Sequence, residues 1–212
     1  MCDVTSEESV NAAIDSVIAK FSTIDLLWNN AGIQGQITPT LNYSSADFLT
    51  VMNVNVVGIF NVLKAVGNKM KLNFEGEGGG VIVNTSSVAA IRCTPAMIAY
   101  SSSKAAILAL TVCAAKDLSP HNIRVNAVSP ALIGPGFMWD RQNELHAKSG
   151  SPFFASDPET VAKNKVSGVP MKRLGTVEEV LKAVQFLLSD ESSYSNGTNL
   201  VVDGGMSGGL KC

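Results

Sequence analysis

Tyr100-Ser101-Ser102-Ser103-Lys104 places a phenol and an ammonium four residues apart, on one face of any helix that carries them. A phenol beside a fixed cation is a candidate proton-transfer pair. In a chain of this composition the spacing arises by chance with a probability of about one in six, and a surface tyrosine near a solvated lysine is the plainer alternative. Three further polar positions reverse that order. Ser86-Ser87 closes the run Val81-Ile82-Val83-Asn84 thirteen residues before Tyr100, Asn55 opens Asn55-Val56-Val57-Gly58, and Asn29-Asn30-Ala31-Gly32 closes an earlier apolar run.

These residues need elements to position them. Apolar spacing of 3.6 predicts helices over residues 6–21, where Ser6 can cap the start, and over 45–72, 98–118 and 177–188. Short apolar runs at 24–28, 81–84, 123–128 and 198–202 predict buried strands. Strands alternating with helices make an α/β fold with a parallel sheet, whose ligands gather at the carboxyl ends of the strands. Tyr100 and Lys104 belong to a helix; Ser87 and the Asn29 to Gly32 cluster belong to strand ends. Residues 134–169, with five prolines in or beside them, read as a loop-rich insert long enough to be a lid or substrate loop.

At 212 residues, 46% hydrophobic and 16% charged, the chain suits one globular domain. A net charge of −2 gives no basic footprint for nucleic acid or an anionic membrane, which leaves a small molecule as the expected ligand. Cysteines 2, 93, 113 and 212 stand far apart, against a zinc knuckle or a disulfide framework, and fit reduced thiols in a cytoplasmic setting. No unbroken apolar run reaches the ~18 residues of a membrane span. His121 and His146 lack metal-ligand company and read as surface residues.

In this order and on these elements, the motifs resemble the short, single-domain branch of the short-chain dehydrogenase/reductases, over essentially the whole chain as one domain, 1–212. The resemblance implies a Rossmann-like doubly wound parallel sheet and hydride transfer between a nicotinamide cofactor and an alcohol or ketone. Tyr100 would exchange the proton of the substrate oxygen, with Lys104 favouring the phenolate, which is otherwise disfavoured below a pKa of ~10. Lys104 would also grip the nicotinamide ribose, Ser87 would hold the substrate oxygen, and Asn55 would hold a water linking the lysine to solvent. Asp3, with Val4 beside it, would meet the adenine; Asn29, Ala31 and Gly32 would line the adenosine side; Pro130 and Ile133 would face the carboxamide. Ala131 departs from the family's glycine after Ser-Pro, and no threonine stands at 134 or 135.

Within the family, Gly134-Pro135-Gly136-Phe137-Met138-Trp139-Asp140-Arg141-Gln142 and Val169-Pro170-Met171-Lys172-Arg173 are similar to the NAD-dependent xylitol (polyol) dehydrogenases. NAD is the cofactor this implies, with NADP the alternative. Met138 and Trp139 would either line the substrate pocket or anchor a lid. Gly204 to Gly209 would pack at a subunit interface, as in a homotetramer or homodimer. The family opens with strands and a glycine-rich phosphate turn. Here those are missing, so the expectation is an N-terminally truncated domain with the strand at 24–28 on a raw edge. A non-catalytic subunit pairing with a full-length relative is the alternative to an enzyme.

Overall fold

A computed structural model describes residues 2–208; Met1 and residues 209–212, with Gly209 and Cys212 among them, lie outside the described residues. Helix α1, Glu7–Phe21, starts where Ser6 accepts a hydrogen bond from the Ser9 N–H, with Glu7 and Glu8 in its first turn to suit the helix dipole. Strand β1, Leu26–Asn29, follows. Helices α2, Ser45–Met52, and α3, Ile59–Met70, are joined by a π-helical turn over Asn53–Gly58. Strand β2, Gly80–Thr85, and the short helix α4, Ala89–Arg92, lead to α5, Ile98–Leu118. Strand β3, Ile123–Pro130, is followed by α6, Phe137–Lys148, α7, Pro158–Ser167, α8, Val177–Leu188, and β4, Asn199–Val202.

The four strands form one parallel sheet in the order β1-β2-β3-β4. Both faces are covered. Leu63, Val66 and Met70 of α3 and Ala114 and Ala115 of α5 pack on Ile82 and Val125. On the opposite face Val180, Val184 and Leu187 of α8 pack on Val83 and Val128. Adjacent Ile82 and Val83 thus point to opposite helical layers, each wholly buried, which is why the strand is apolar throughout rather than alternating. A buried polar chain crosses the sheet: Asn29 Nδ2 donates to the Ile59 carbonyl at 2.9 Å and to Asn84 Oδ1 at 3.2 Å, and Asn84 Nδ2 donates to Thr111 Oγ1 at 3.1 Å. Each group is satisfied, so the chain stitches β1, β2, α3 and α5 without leaving a buried donor alone.

β1 pairs on one side only among the described residues, and Leu26 and Trp28 remain 55% and 37% exposed. Three expectations are corrected. The helix expected over 45–72 contains the π turn, whose extra residue is invisible to apolar spacing. The insert at 134–169 is mostly two antiparallel helices rather than loop. Its prolines mislead because Pro158 occupies the first turn of α7, where a missing N–H costs nothing, behind an Asp157 cap on the Thr160 N–H. Finally, by length and hydropathy Ser45–Met70 and Ile98–His121 are long and apolar enough to span a membrane, which a search for unbroken apolar runs passes over. In this fold they supply the α3 and α5 layer of the sandwich.

Candidate active site

The carboxyl ends of β1, β2 and β3 meet the amino-terminal half of α5. Ser86 just beyond β2 donates through Oγ to the Lys104 carbonyl at 2.8 Å, fixing α5 against the strand end. Lys104, 4% exposed, returns across the same gap, its Nζ donating to the Thr85 carbonyl at 2.8 Å. With no carboxylate beside it, burial lowers its pKa from 10.5 to about 8. One bond to Thr85 leaves further ammonium hydrogens for a ligand.

Asn55 is wholly buried in the π turn, a feature that recurs at functional sites. Its Oδ1 accepts from the Ile33 N–H at 2.7 Å, while Nδ2 donates to the Ile33 carbonyl at 2.8 Å and to Ser103 Oγ at 3.0 Å. Ser103 in turn donates to the Tyr100 carbonyl at 2.8 Å. Both amide hydrogens are therefore used, and the water-holding part implied by resemblance does not fall to them. Asn55 ties the loop after β1 to the turn of α5 that carries Tyr100. Gly32 makes this possible: a Cβ there would meet Asn55 Oδ1 at 3.2 Å and Lys104 Nζ at 3.5 Å.

Ser87 Oγ accepts from the Ala89 N–H at 3.2 Å, which leaves its own hydrogen for another oxygen. Its hydroxyl faces the Tyr100 phenol, on which it has a pKa-lowering influence. Burial pushes the Tyr100 phenol above its ordinary value and the Ser87 contact offsets only part of this. Lys104 Nζ stands 5.8 Å from the phenol ring centroid, on the same side of the site as the phenol. In this arrangement the phenol is protonated at neutral pH, poised as an acid.

Ser87, Tyr100 and Lys104 share a cavity of about 530 Å³ with Gly32, Ile33, Met138 and Trp139. Its far wall is the α6–α7 hairpin, including Gln142, His146, Phe154 and Lys165. Contrary to the sequence reading, His146 is 1% exposed, held in this wall against the Phe154 ring at 4.1 Å. His121 is exposed, as expected.

The remaining expected cofactor residues divide. Ile133 lines the cavity and bridges to Gly175. Asp3, Val4, Ala31 and Pro130 are not in its wall. Asp3 accepts from the Thr5 N–H and hydroxyl at 2.9 and 2.8 Å, Val4 fills the space over Gly58, and the Pro130 carbonyl accepts from the Val88 N–H. Asn29 spends its side chain inside the sheet, as described above. Its appearance in a strand-end cluster could not reveal that the first asparagine points inward, whereas Asn30 and Gly32 reach the cavity. Gln34 also lines it, and sequence reasoning missed it; the one signal was its place two residues beyond the Gly32 turn. The glycine cradle and the spare Lys104 hydrogens suit the ribose and nicotinamide end of a dinucleotide.

A parallel α/β sandwich with a serine, a tyrosine and a lysine converging at its carboxyl edge defines a class of nicotinamide-dependent oxidoreductase. Comparisons with known proteins agree. The family model described as "Enoyl-(Acyl carrier protein) reductase" matches residues 1–207. Levodione reductase of Leifsonia aquatica is 35% identical over 207 residues, 98% of this chain and 73% of that protein. The 2-(R)-hydroxypropyl-CoM dehydrogenase of Xanthobacter autotrophicus is 38% identical over 205 residues, 95% of this chain and 74% of its own length. Among solved structures, an NAD+-bound xylitol dehydrogenase superposes with a TM-score of 0.92 at 51% identity, covering 96% of this chain and 77% of the other. The chain belongs to the short-chain dehydrogenase/reductase family, oxidoreductases that act on alcohols and ketones with a nicotinamide cofactor.

Proposed function

We propose that this chain interconverts a polyol and the corresponding ketone, with NAD as the cofactor. The carrying observation is that one cavity joins the Ser87–Tyr100–Lys104 cluster to a wall in which Gln142, His146 and Lys165 stand among the apolar Met138, Trp139 and Phe154. Its likeness to a xylitol dehydrogenase at 51% identity supports both the polyol and NAD.

A nicotinamide bound here supplies the hydride acceptor or donor, and in its oxidised form a positive ring. Lys104, with hydrogens to spare, would hold the nicotinamide ribose, and Gly32 leaves room for it. In the direction of ketone reduction the protonated Tyr100 donates to the carbonyl oxygen as that oxygen gains charge, and Ser87 hydrogen-bonds the same oxygen. In the direction of alcohol oxidation the phenol must first lose its proton, and the Lys104 ammonium opposes the cost of leaving a phenolate in a buried site. Positioned proton transfer of this kind contributes about 10²–10⁴ in rate.

The test is direct. The full chain is incubated with NAD and a five-carbon polyol, and the absorbance of the reduced nicotinamide is followed. Turnover that Tyr100→Phe lowers by about 10²–10⁴ is the expected result. Turnover of other alcohols or ketones with none of any polyol would overturn the substrate assignment.

A further inference from the structure

Buried polar atoms in folded proteins almost always have hydrogen-bond partners, so each exception asks what completes it. Among the described residues four buried side-chain atoms have none: Gln34 Nε2, Tyr43 OH, Ser101 Oγ and His146 Nε2. Two of the four, Gln34 Nε2 and His146 Nε2, belong to residues lining the cavity that contains Tyr100. They reach it from unrelated segments, one from the loop after β1 and one from α6.

The segments are packed on the same turn. Ile37, three residues after Gln34, packs with Ala96 and Met97 against Tyr100 and Leu145, the neighbour of His146. The Thr38 N–H donates to the Ala96 carbonyl at 2.9 Å, closing the loop against the start of α5.

The His146 ring is held firmly on its other side. Nδ1 lies 2.8 Å from the Gln142 carbonyl and 3.1 Å from Lys165 Nζ. Lys165 also donates to Asn143 Oδ1 at 2.8 Å and Gln142 Oε1 at 3.2 Å, so two of its three hydrogens are taken up by neutral wall groups. If Nδ1 donates to Gln142, Nε2 presents a lone pair; if Nδ1 accepts from Lys165, Nε2 presents a hydrogen. The Gln34 amide nitrogen offers hydrogens only. A hydroxyl, being donor and acceptor together, answers either tautomer of the histidine and also the amide.

We propose that His146 and Gln34 are specificity-determining residues that bind hydroxyl groups of the substrate other than the one being oxidised, so that the cavity selects polyhydroxylated over monohydric alcohols. This rests on the polyol reading above and deepens it. Neither residue takes part in the proton or hydride transfer; each supplies a hydrogen bond to a part of the substrate that does not react, and losing one leaves a buried polar atom uncompensated.

Steady-state kinetics of the full chain with NAD, using a five-carbon polyol and a monohydric secondary alcohol of the same length, tests this. His146→Phe and Gln34→Leu should each raise KM for the polyol about 3- to 10-fold while leaving kcat and the monohydric alcohol little changed. His146→Gln, which keeps a hydrogen-bonding group, should recover part of the loss. An equal rise for both alcohols would show a merely structural role and overturn the proposal. Because the chain has two histidines, imidazole ¹⁵N spectra of the unsubstituted protein give a second readout that no folding defect can spoil. Saturating polyol should move the Nε2 signal that His146→Phe removes. An unmoved signal while polyol is being turned over sinks this inference and leaves the polyol reading intact. Absence of polyol turnover sinks that reading, and the spectra still judge His146 by whether polyol moves its signal. A sugar acid that moves it where the polyol does not would replace hydroxyl recognition by carboxylate recognition.

Discussion

Asn55 and Ile33 exchange two hydrogen bonds, Ile33 N–H to Asn55 Oδ1 at 2.7 Å and Asn55 Nδ2 to the Ile33 carbonyl at 2.8 Å, as a side chain imitating a strand neighbour. The pair closes the loop after β1 over the site and, through Ser103, holds the turn bearing Tyr100. Replacing Asn55 by Leu leaves both Ile33 groups and the Ser103 hydroxyl short of a partner. The expected cost is about 1–3 kcal/mol for each group that stays buried and unpaired, read as a lower urea midpoint with unchanged slope. Turnover should fall with it. Asn55→Asp keeps the acceptor for the Ile33 N–H and should fall between the two.

Gly32→Ala probes the close approach from the other side. The added methyl would meet Asn55 Oδ1 at 3.2 Å and Lys104 Nζ at 3.5 Å, so one of them must give way. A loss of about 1–3 kcal/mol in stability is expected from overpacking, together with a raised KM for the cofactor. Thermal unfolding and initial rates check it. An unchanged cofactor KM would argue that Gly32 does not border the nicotinamide ribose.

Lys104 gives the chain an alkaline signature. Burial lowers its pKa from 10.5 to about 8, so between those values the unfolded chain holds a proton that the folded chain has released. Stability should therefore rise with pH across that window and be flat below it as far as Lys104 is concerned. Lys165, also lowered to about 8 by burial, adds in the same sense. Tyr100, raised by burial, opposes them only above its ordinary 10.0. Urea midpoints measured from pH 7 to 10 should climb in the unsubstituted chain and flatten in Lys104→Met with Lys165→Met.

His146 gives an acid signature of its own. Desolvation first, then the neighbouring Lys165, lowers its pKa from 6.5 to about 4. The stability tied to a neutral ring is fully present above 6.5 and is lost as pH falls toward 4, because the unfolded chain takes up the proton first. Unfolding midpoints should drop over that interval, and less steeply in His146→Phe. A parallel fall in both proteins would contradict the buried, neutral imidazole.

Much of this was legible in the sequence because apolar periodicity and local chemistry agreed. Helices α5 and α8 have the bounds that spacing predicts, and Ser87, Tyr100 and Lys104 meet in one cavity as their order implied. The rest depends on information that spacing does not carry. A π turn adds one residue to a helix without altering its composition. His146, in a stretch of polar residues, is buried because α7 packs over it, a tertiary fact. Asn29 and Asn30 are adjacent and chemically identical, yet β-strand alternation sends the first into the sheet and leaves the second on the cavity.

The roots of the α6–α7 hairpin are pinned together: the Gly134 N–H donates to the Gly175 carbonyl at 3.1 Å and the Gly175 N–H to the Leu132 carbonyl at 2.9 Å. The second root is tied again where the Met171 N–H donates to the Gly204 carbonyl at 3.2 Å, so both roots are anchored beside the ends of β3 and β4. The hairpin is thus an interchangeable cover, and mutations in it can retune which molecule is admitted while the proton-handling floor keeps its geometry.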